Sequence, residues 1–107
     1  MIRENAYQSK LIKKLRQLHP DWIIVKNDAN YLQGIPDWTV FANGRYAFFD
    51  VKRSSDAVHQ PNQDWYINNA NETGAFGMFV YPENEEEFLN EIQQSLRPRR
   101  KARRIRG

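Results

Sequence analysis

Asp37, Asp50 and Lys52 are the residues whose types and spacing could act together in chemistry. Between the two acids lies Asn43-Gly44, a strong hairpin signal, because a type I′ turn needs positive φ at both central positions. A two-residue loop at 43–44 pairs Ala42 with Arg45 and so sets Asp37 opposite Asp50. A four-residue loop keeps that register; a bulge or a three-residue loop shifts it by one. Directly opposite side chains hold their Cβ atoms about 4.5–5.5 Å apart, and like charges placed so are destabilising. Such a pair makes sense around a divalent cation. Strand side chains alternate, so Asp50 and Lys52 share a face while Val51 points to the other. Two acids and a lysine on one patch of sheet point to metal-dependent hydrolysis.

The elements that must carry these residues follow from periodicity and breakers. Tyr7, Leu11, Leu15 and Leu18 recur at helical spacing, which predicts a helix over 4–18 that His19-Pro20-Asp21 ends. A β-branched run predicts a strand over 22–26, and 27–33 reads as a polar loop leading to Gly34-Ile35-Pro36. The hairpin strands are expected over 37–42 and 45–52, followed by a loop over 53–59. Pro61 suits the first turn of a helix that runs to about Asn71. Gly74 breaks the chain, a strand is expected over 75–81, and Pro82 stops it. Glu83, Glu85, Glu86 and Glu87 then crowd the start of a last helix, where acids complement the macrodipole, and Phe88, Ile92 and Leu96 form its apolar face. The order is αβββαβα, an α/β (α+β) arrangement with a mixed sheet flanked by helices.

A chain of 107 residues supports one core. With no cysteine, disulfide frameworks and thiolate zinc sites fall away, and a reducing, cytoplasmic setting is expected. No apolar leader or membrane-length run is visible, so the reading is a soluble protein. The net charge of +3 hides a split. Residues 97–107 carry seven cations and no anion, leaving the first 96 residues at a net charge of −4. The expected organisation is a folded domain over 1–96 and a basic, flexible tail over 97–107, of the kind that contacts nucleic acid. Trp22, Trp38 and Trp65 are expected in the core rather than as stacking platforms, and His19 and His59 are isolated loop residues without metal-ligand spacing.

Glu4 falls on the same helical face as Leu11 and Leu15, an unusual place for a carboxylate without a partner. Its position in the first turn offers the simpler explanation of harmless exposure.

Glu4 in a leading helix, Gly34-Ile35-Pro36-Asp37, Asp50-Val51-Lys52 and Pro61-Asn62-Gln63 together resemble the PD-(D/E)xK nuclease superfamily. The chain looks most like small, stand-alone VRR-NUC domains, which are common in bacteriophages, and is similar in plan to Holliday-junction resolvases. The resemblance covers residues 4–81 and implies a restriction-endonuclease-like αβββαβ core with an added C-terminal helix. It implies a Mg²⁺- or Mn²⁺-dependent endonuclease acting on DNA, structure-specific for branched or Holliday-junction DNA. One such active site cuts one strand, so cleaving two strands of a junction asks for two related by symmetry, and a homodimer is expected. Asp37 and Asp50 would be metal ligands together with the Val51 carbonyl, with Glu4 approaching the same metal. Lys52 would position or deprotonate the attacking water, and Gln63 would reach in from its helix. DNA contacts are expected from Lys26 and Arg53 near the site and from Arg97, Arg99, Arg100, Lys101, Arg103 and Arg104 in the tail. Asp50 stands where this branch usually has glutamate, which leaves the metal stoichiometry open. Two other readings share these features: a restriction- or repair-type nuclease on other DNA, and a non-catalytic DNA-binding accessory protein.

Overall fold

The hairpin that carries the two acids is the centre of a four-stranded mixed sheet in the order β1-β2-β3-β4. The structure is a computed structural model, and it describes residues 3–99. Its strands are β1 (Ile23–Lys26), β2 (Trp38–Ala42), β3 (Arg45–Val51) and β4 (Phe76–Val80). Its helices are α1 (Glu4–Leu18), α2 (Gln63–Glu72) and α3 (Glu85–Ser95), with a 3₁₀ turn at Pro82–Asn84 before α3. β1, β2 and β3 pair antiparallel, and β4 joins β3 in parallel after α2 has crossed over. The chain is therefore a mixed α/β fold with a C-terminal helix. No helix among the described residues is long and apolar enough to cross a membrane.

The turn forms as its residues dictate. Asn43 and Gly44 take φ of 55° and 74°, and Ala42 pairs with Arg45. That register gives the two faces of the sheet different tasks. Trp38, Val40, Ala47, Phe49 and Val51 turn to α1 and α3, where they form the core with Tyr7, Leu11, Leu15, Phe88 and Ile92. Phe48 and Gly77 turn to α2, where Phe48 meets Tyr66 edge-on. A Cβ on Gly77 would lie 2.7 Å from the Ile67 carbonyl oxygen, so α2 sits directly on the backbone of β4. Asp50 lies opposite Phe79 on this second face, at the end of the sheet where α2 begins.

Several expected boundaries move for identifiable reasons. The helix expected from Pro61 begins at Gln63, because Asn62 adopts a left-handed conformation with φ of 72°. This turn presses against Gly34, whose own φ is 83°, and a Cβ there would approach the Pro61 carbonyl oxygen to 2.2 Å. The last helix starts at Glu85 because Pro82–Asn84 forms a tighter turn, tied by the Tyr81 N–H to Asn84 Oδ1. β1 lacks Trp22, β4 lacks Ala75 and Tyr81, and Leu18 is exposed where α1 runs out of the core. Trp65, expected in the core, is 60% exposed, because it sits on the solvent side of α2. Trp38 is buried and Trp22 is partly buried against the core.

Gly34 joins the segment before Asp37 to the turn before Gln63, so this contact sets the spacing of the two site walls. Gly34→Ala should destabilise the fold by at least about 1–3 kcal/mol, from the strained φ alone, with the clash in addition. Urea unfolding checks this, and an unchanged midpoint would show that the two turns separate at no cost.

Candidate active site

β2 and β3 end in an exchange of carboxylates. The ladder runs to the Trp38–Phe49 pair, and there the side chains of Asp37 and Asp50 take over. The Asp37 N–H donates to Asp50 Oδ1 at 2.9 Å, and the Val51 N–H donates to Asp37 Oδ2 at 3.4 Å. Each acid thus accepts from the backbone of the opposite strand, which keeps both at the mouth of the hairpin despite their like charge. Asp37 lies one residue before β2, and Lys52 one residue beyond β3. The ladder nonetheless continues through Lys52, whose N–H donates to the Val80 carbonyl at 2.8 Å.

Asp50 is 1% exposed, and Lys52 and Gln63 are 6% exposed. Lys52 Nζ lies 3.0 Å from Asp50 Oδ2 and donates to Gln63 Oε1 at 2.9 Å. Gln63 Nε2 closes the triangle on Asp50 Oδ1 at 3.1 Å, and the Gln60 N–H holds Gln63 Oε1 at 2.8 Å. Position 63 needs a side chain that donates to a carboxylate and accepts from an ammonium at once, which an amide does. Burial pushes the Asp50 carboxyl above the ordinary carboxylate range, and the charge of Asp37 adds to this. Lys52 and the Asp37 N–H pull the other way without restoring the ordinary value.

This cluster opens into a cavity of about 550 Å³ lined by Glu4, Asp37, Asp50, Lys52, Arg53 and Gln63, among others. Val51 also lines it, although its side chain is fully buried on the opposite face, so its backbone is the part that faces the cavity. Glu4 is exposed in the first turn of α1 rather than held on the buried stripe. It borders the cavity without a direct bond to either aspartate. Among the described residues, no three His, Cys, Asp or Glu side chains converge as a metal-holding group. Asp37 and Asp50 are the carboxylate pair. Lys26 Nζ stands 3.7 Å from Asp37 Oδ1 at the outer edge.

The structure thus brings Glu4, Asp37, Asp50, Val51, Lys52, Arg53 and Gln63 around one cavity, with Lys26 at its rim. It sets Arg97 and Arg99 elsewhere. The Arg45 Nε–H donates to the Arg97 carbonyl, Arg99 Nη1 donates to the Gly44 carbonyl, and Asn43 Nδ2 donates to the Leu96 carbonyl. The segment after α3 is therefore fastened to the hairpin turn as far as Arg99, about 17 Å along β3 from Asp50 at the usual rise per residue. Arg100, Lys101, Arg103 and Arg104 lie outside the described residues. Sequence reasoning missed Arg3, Ala57, Val58 and Gln60 as cavity residues. Arg3 could have been found from its place beside Glu4, but nothing in the sequence marks Ala57 or Val58. Compared with protein-family models, curated proteins and solved structures, the chain gives no match.

Two acids back to back have a measurable consequence. Asp50 holds its proton more tightly folded than unfolded, so its contribution to stability is full below the ordinary value of 3.8. That contribution is lost as pH rises through the raised folded value. In metal-free buffer, the stability of the wild type relative to Asp50→Asn should therefore fall as pH is raised above 3.8. Urea unfolding at a series of pH values checks the sign, and a difference that grows with pH contradicts it.

Proposed function

We propose that the protein is a Mg²⁺-dependent endonuclease that hydrolyses phosphodiester bonds in DNA, with branched duplexes as its preferred substrate. The observation that carries this reading is the buried Asp50–Lys52–Gln63 triangle beside Asp37, opening into a cavity large enough for a sugar-phosphate unit. The donor set fits a hard divalent cation: two carboxylates and a backbone carbonyl offer oxygen only. Two carboxylates share the single close ammonium of Lys52 on this buried side, so a cation between them would relieve their repulsion. Asp37, Asp50 and the Val51 carbonyl would hold the ion, with Glu4 near enough to the cavity to join through water. When bound, it supplies Lewis-acid polarisation of the phosphate and a more acidic water.

The chain's own residues divide the remaining work. Lys52, fixed by Asp50 and Gln63, presents an ammonium to the cavity, where it orients the attacking water and offsets charge on the phosphoryl oxygens. Gln63 accepts from Lys52 and donates to Asp50, and so fixes the ammonium and the carboxylate relative to each other. Arg53 and Lys26 flank the cavity as phosphate contacts. The products are a 5′-phosphate and a 3′-hydroxyl. One such site cuts one strand, so severing both strands of a branched duplex asks for two sites related by symmetry. Ile23, Val25 and Phe41 form an exposed apolar strip on one sheet face that a second copy would cover, and we propose a homodimer on that ground. A cytoplasmic setting, where DNA is the available substrate, completes the reading.

Purified protein with Mg²⁺ and a panel of junction, flap, linear and single-stranded DNA tests it. Lys52→Ala should lower cleavage by about 10²–10⁴-fold, the usual contribution of a positioned proton-transfer group, while leaving DNA affinity nearly unchanged. Mg²⁺ should raise the melting temperature of the wild type but not that of Asp37→Asn. Absence of cleavage on every substrate, together with no melting shift, would remove the nuclease reading.

A further inference from the structure

A second groove, of about 450 Å³, runs along α1 and includes Trp38, the residue over whose ring Lys26 Nζ lies. Gln8, Ser9, Lys13, Arg16 and Gln17 of α1 line it, together with Trp38 from β2. Trp38 is 9% exposed, and its Nε1–H is buried without an acceptor among the described residues. A buried donor left unmade costs about 1–3 kcal/mol, so an N–H retained in this state calls for an explanation. The charges around it are all of one sign. Lys13 and Arg16 line the groove, and no acid does. Arg16 uses Nη2 on the Ile24 carbonyl at 3.3 Å, which leaves other guanidinium donors for a ligand. Ser9, Lys13, Arg16 and Gln17 are exposed side chains that can rotate to admit an oxygen atom to the indole.

Lys26 joins this groove to the candidate active site. Its Nζ lies 5.0 Å from the centre of the Trp38 ring, 3.5 Å from Gln8 Oε1 and 3.7 Å from Asp37 Oδ1. Lys26 thus reaches both Asp37 and Trp38, and Lys13 and Arg16 line the groove that shares Trp38. We infer that the groove holds the phosphodiester backbone of duplex DNA to one side of the cleaved bond. A phosphate oxygen accepts from Trp38 Nε1–H and pairs with Lys13 and Arg16. This rests on the nuclease reading for its ligand. It adds a binding surface that offsets the repulsion between DNA and a domain of net charge −4.

The test uses the full chain, ¹⁵N-labelled at tryptophan, in EDTA so that no strand is cut. Trp22, Trp38 and Trp65 each give one indole N–H signal, and the one lost in Trp38→Phe is that of Trp38. On titration with a short DNA duplex the Trp38 signal should move downfield while that of Trp22 moves little. Lys13→Gln with Arg16→Gln should weaken binding and lower the slope of log affinity against log salt by about 1.8, the value for two phosphate contacts. Lys13→Gln alone should remove about half of that slope, a control needed because Arg16 also ties α1 to β1. A Trp38 signal unmoved at saturating DNA overturns the inference, as does an unchanged salt slope in the double variant. Because binding is read without metal, a protein that fails to cleave can still show the Trp38 shift. A protein that cleaves while its Trp38 signal stays still overturns the groove alone.

Discussion

Asp50 has almost no contact with solvent, yet it stands beside a second carboxylate. The fold meets that cost with three donors: the Asp37 N–H and the Gln63 amide on one oxygen, and the Lys52 ammonium on the other. Each donor comes from a different element. The first requires β2 and β3 to be in register to their very end, the second requires α2 to begin at residue 63, and the third requires the β3 ladder to continue past Val51. A shift of one residue in any of these would take one of the three donors from a buried carboxylate, a change that costs about 1–3 kcal/mol. The register of the sheet and the start of α2 are thus coupled through a single carboxylate.

That coupling explains why the loops around the site are specified as closely as the strands. α2 must begin at Gln63 with its side chain inward, and the left-handed Asn62 delivers it there. Gly34 is the surface on which that turn rests. The same contact fixes Ile35-Pro36 and so the point at which Asp37 enters the sheet. At the far end of the hairpin the constraint is of another kind. Asn43 and Arg45 donate to the Leu96 and Arg97 carbonyls, and Arg99 donates back to the Gly44 carbonyl, with no carboxylate taking part. Arg97 and Arg99 are drawn there beside Arg45, whose guanidinium is held below its ordinary range by burial and by those two neighbours.

The residues of the site were legible in the sequence because strand and turn rules act over short distances. Asn43-Gly44 fixed the register, the register set Asp37 against Asp50, and alternation put Lys52 on their face. The helices were legible from apolar spacing, since α1 and α3 each bury one stripe. What could not be read depends on contacts between distant segments. The start of α2 was misplaced because proline at a first turn is a local preference, whereas the turn at 61–62 is shaped by Gly34. Trp65 was misplaced because a large aromatic side chain suggests burial, while the face of α2 that meets the sheet is set by Ile67 and Ala70. The attachment of Arg97 and Arg99 to the hairpin turn could not be foreseen, because a run of cations carries no signal about which carbonyls it will meet.

The charge split in the chain takes on a more definite form in space. A body of net negative charge presents acids at one end of its sheet and cations at the other, with Lys52 and Lys26 as the positive charges nearest the acids. Attraction from the hairpin-turn arginines acts at about 17 Å from Asp50, beyond a Debye length of about 8 Å at physiological salt. It can draw a polyanion to the protein but cannot hold a particular phosphate over the acids. Positioning at the site therefore falls to charges within contact distance, which are Lys26, Lys52 and Arg53. Lys26 is the one that touches both Asp37 and the Trp38 ring. It neutralises the outer acid while it caps an indole whose own donor is unmet. Its reach to both follows from one register fact: Lys26 is the residue of β1 that pairs with Trp38.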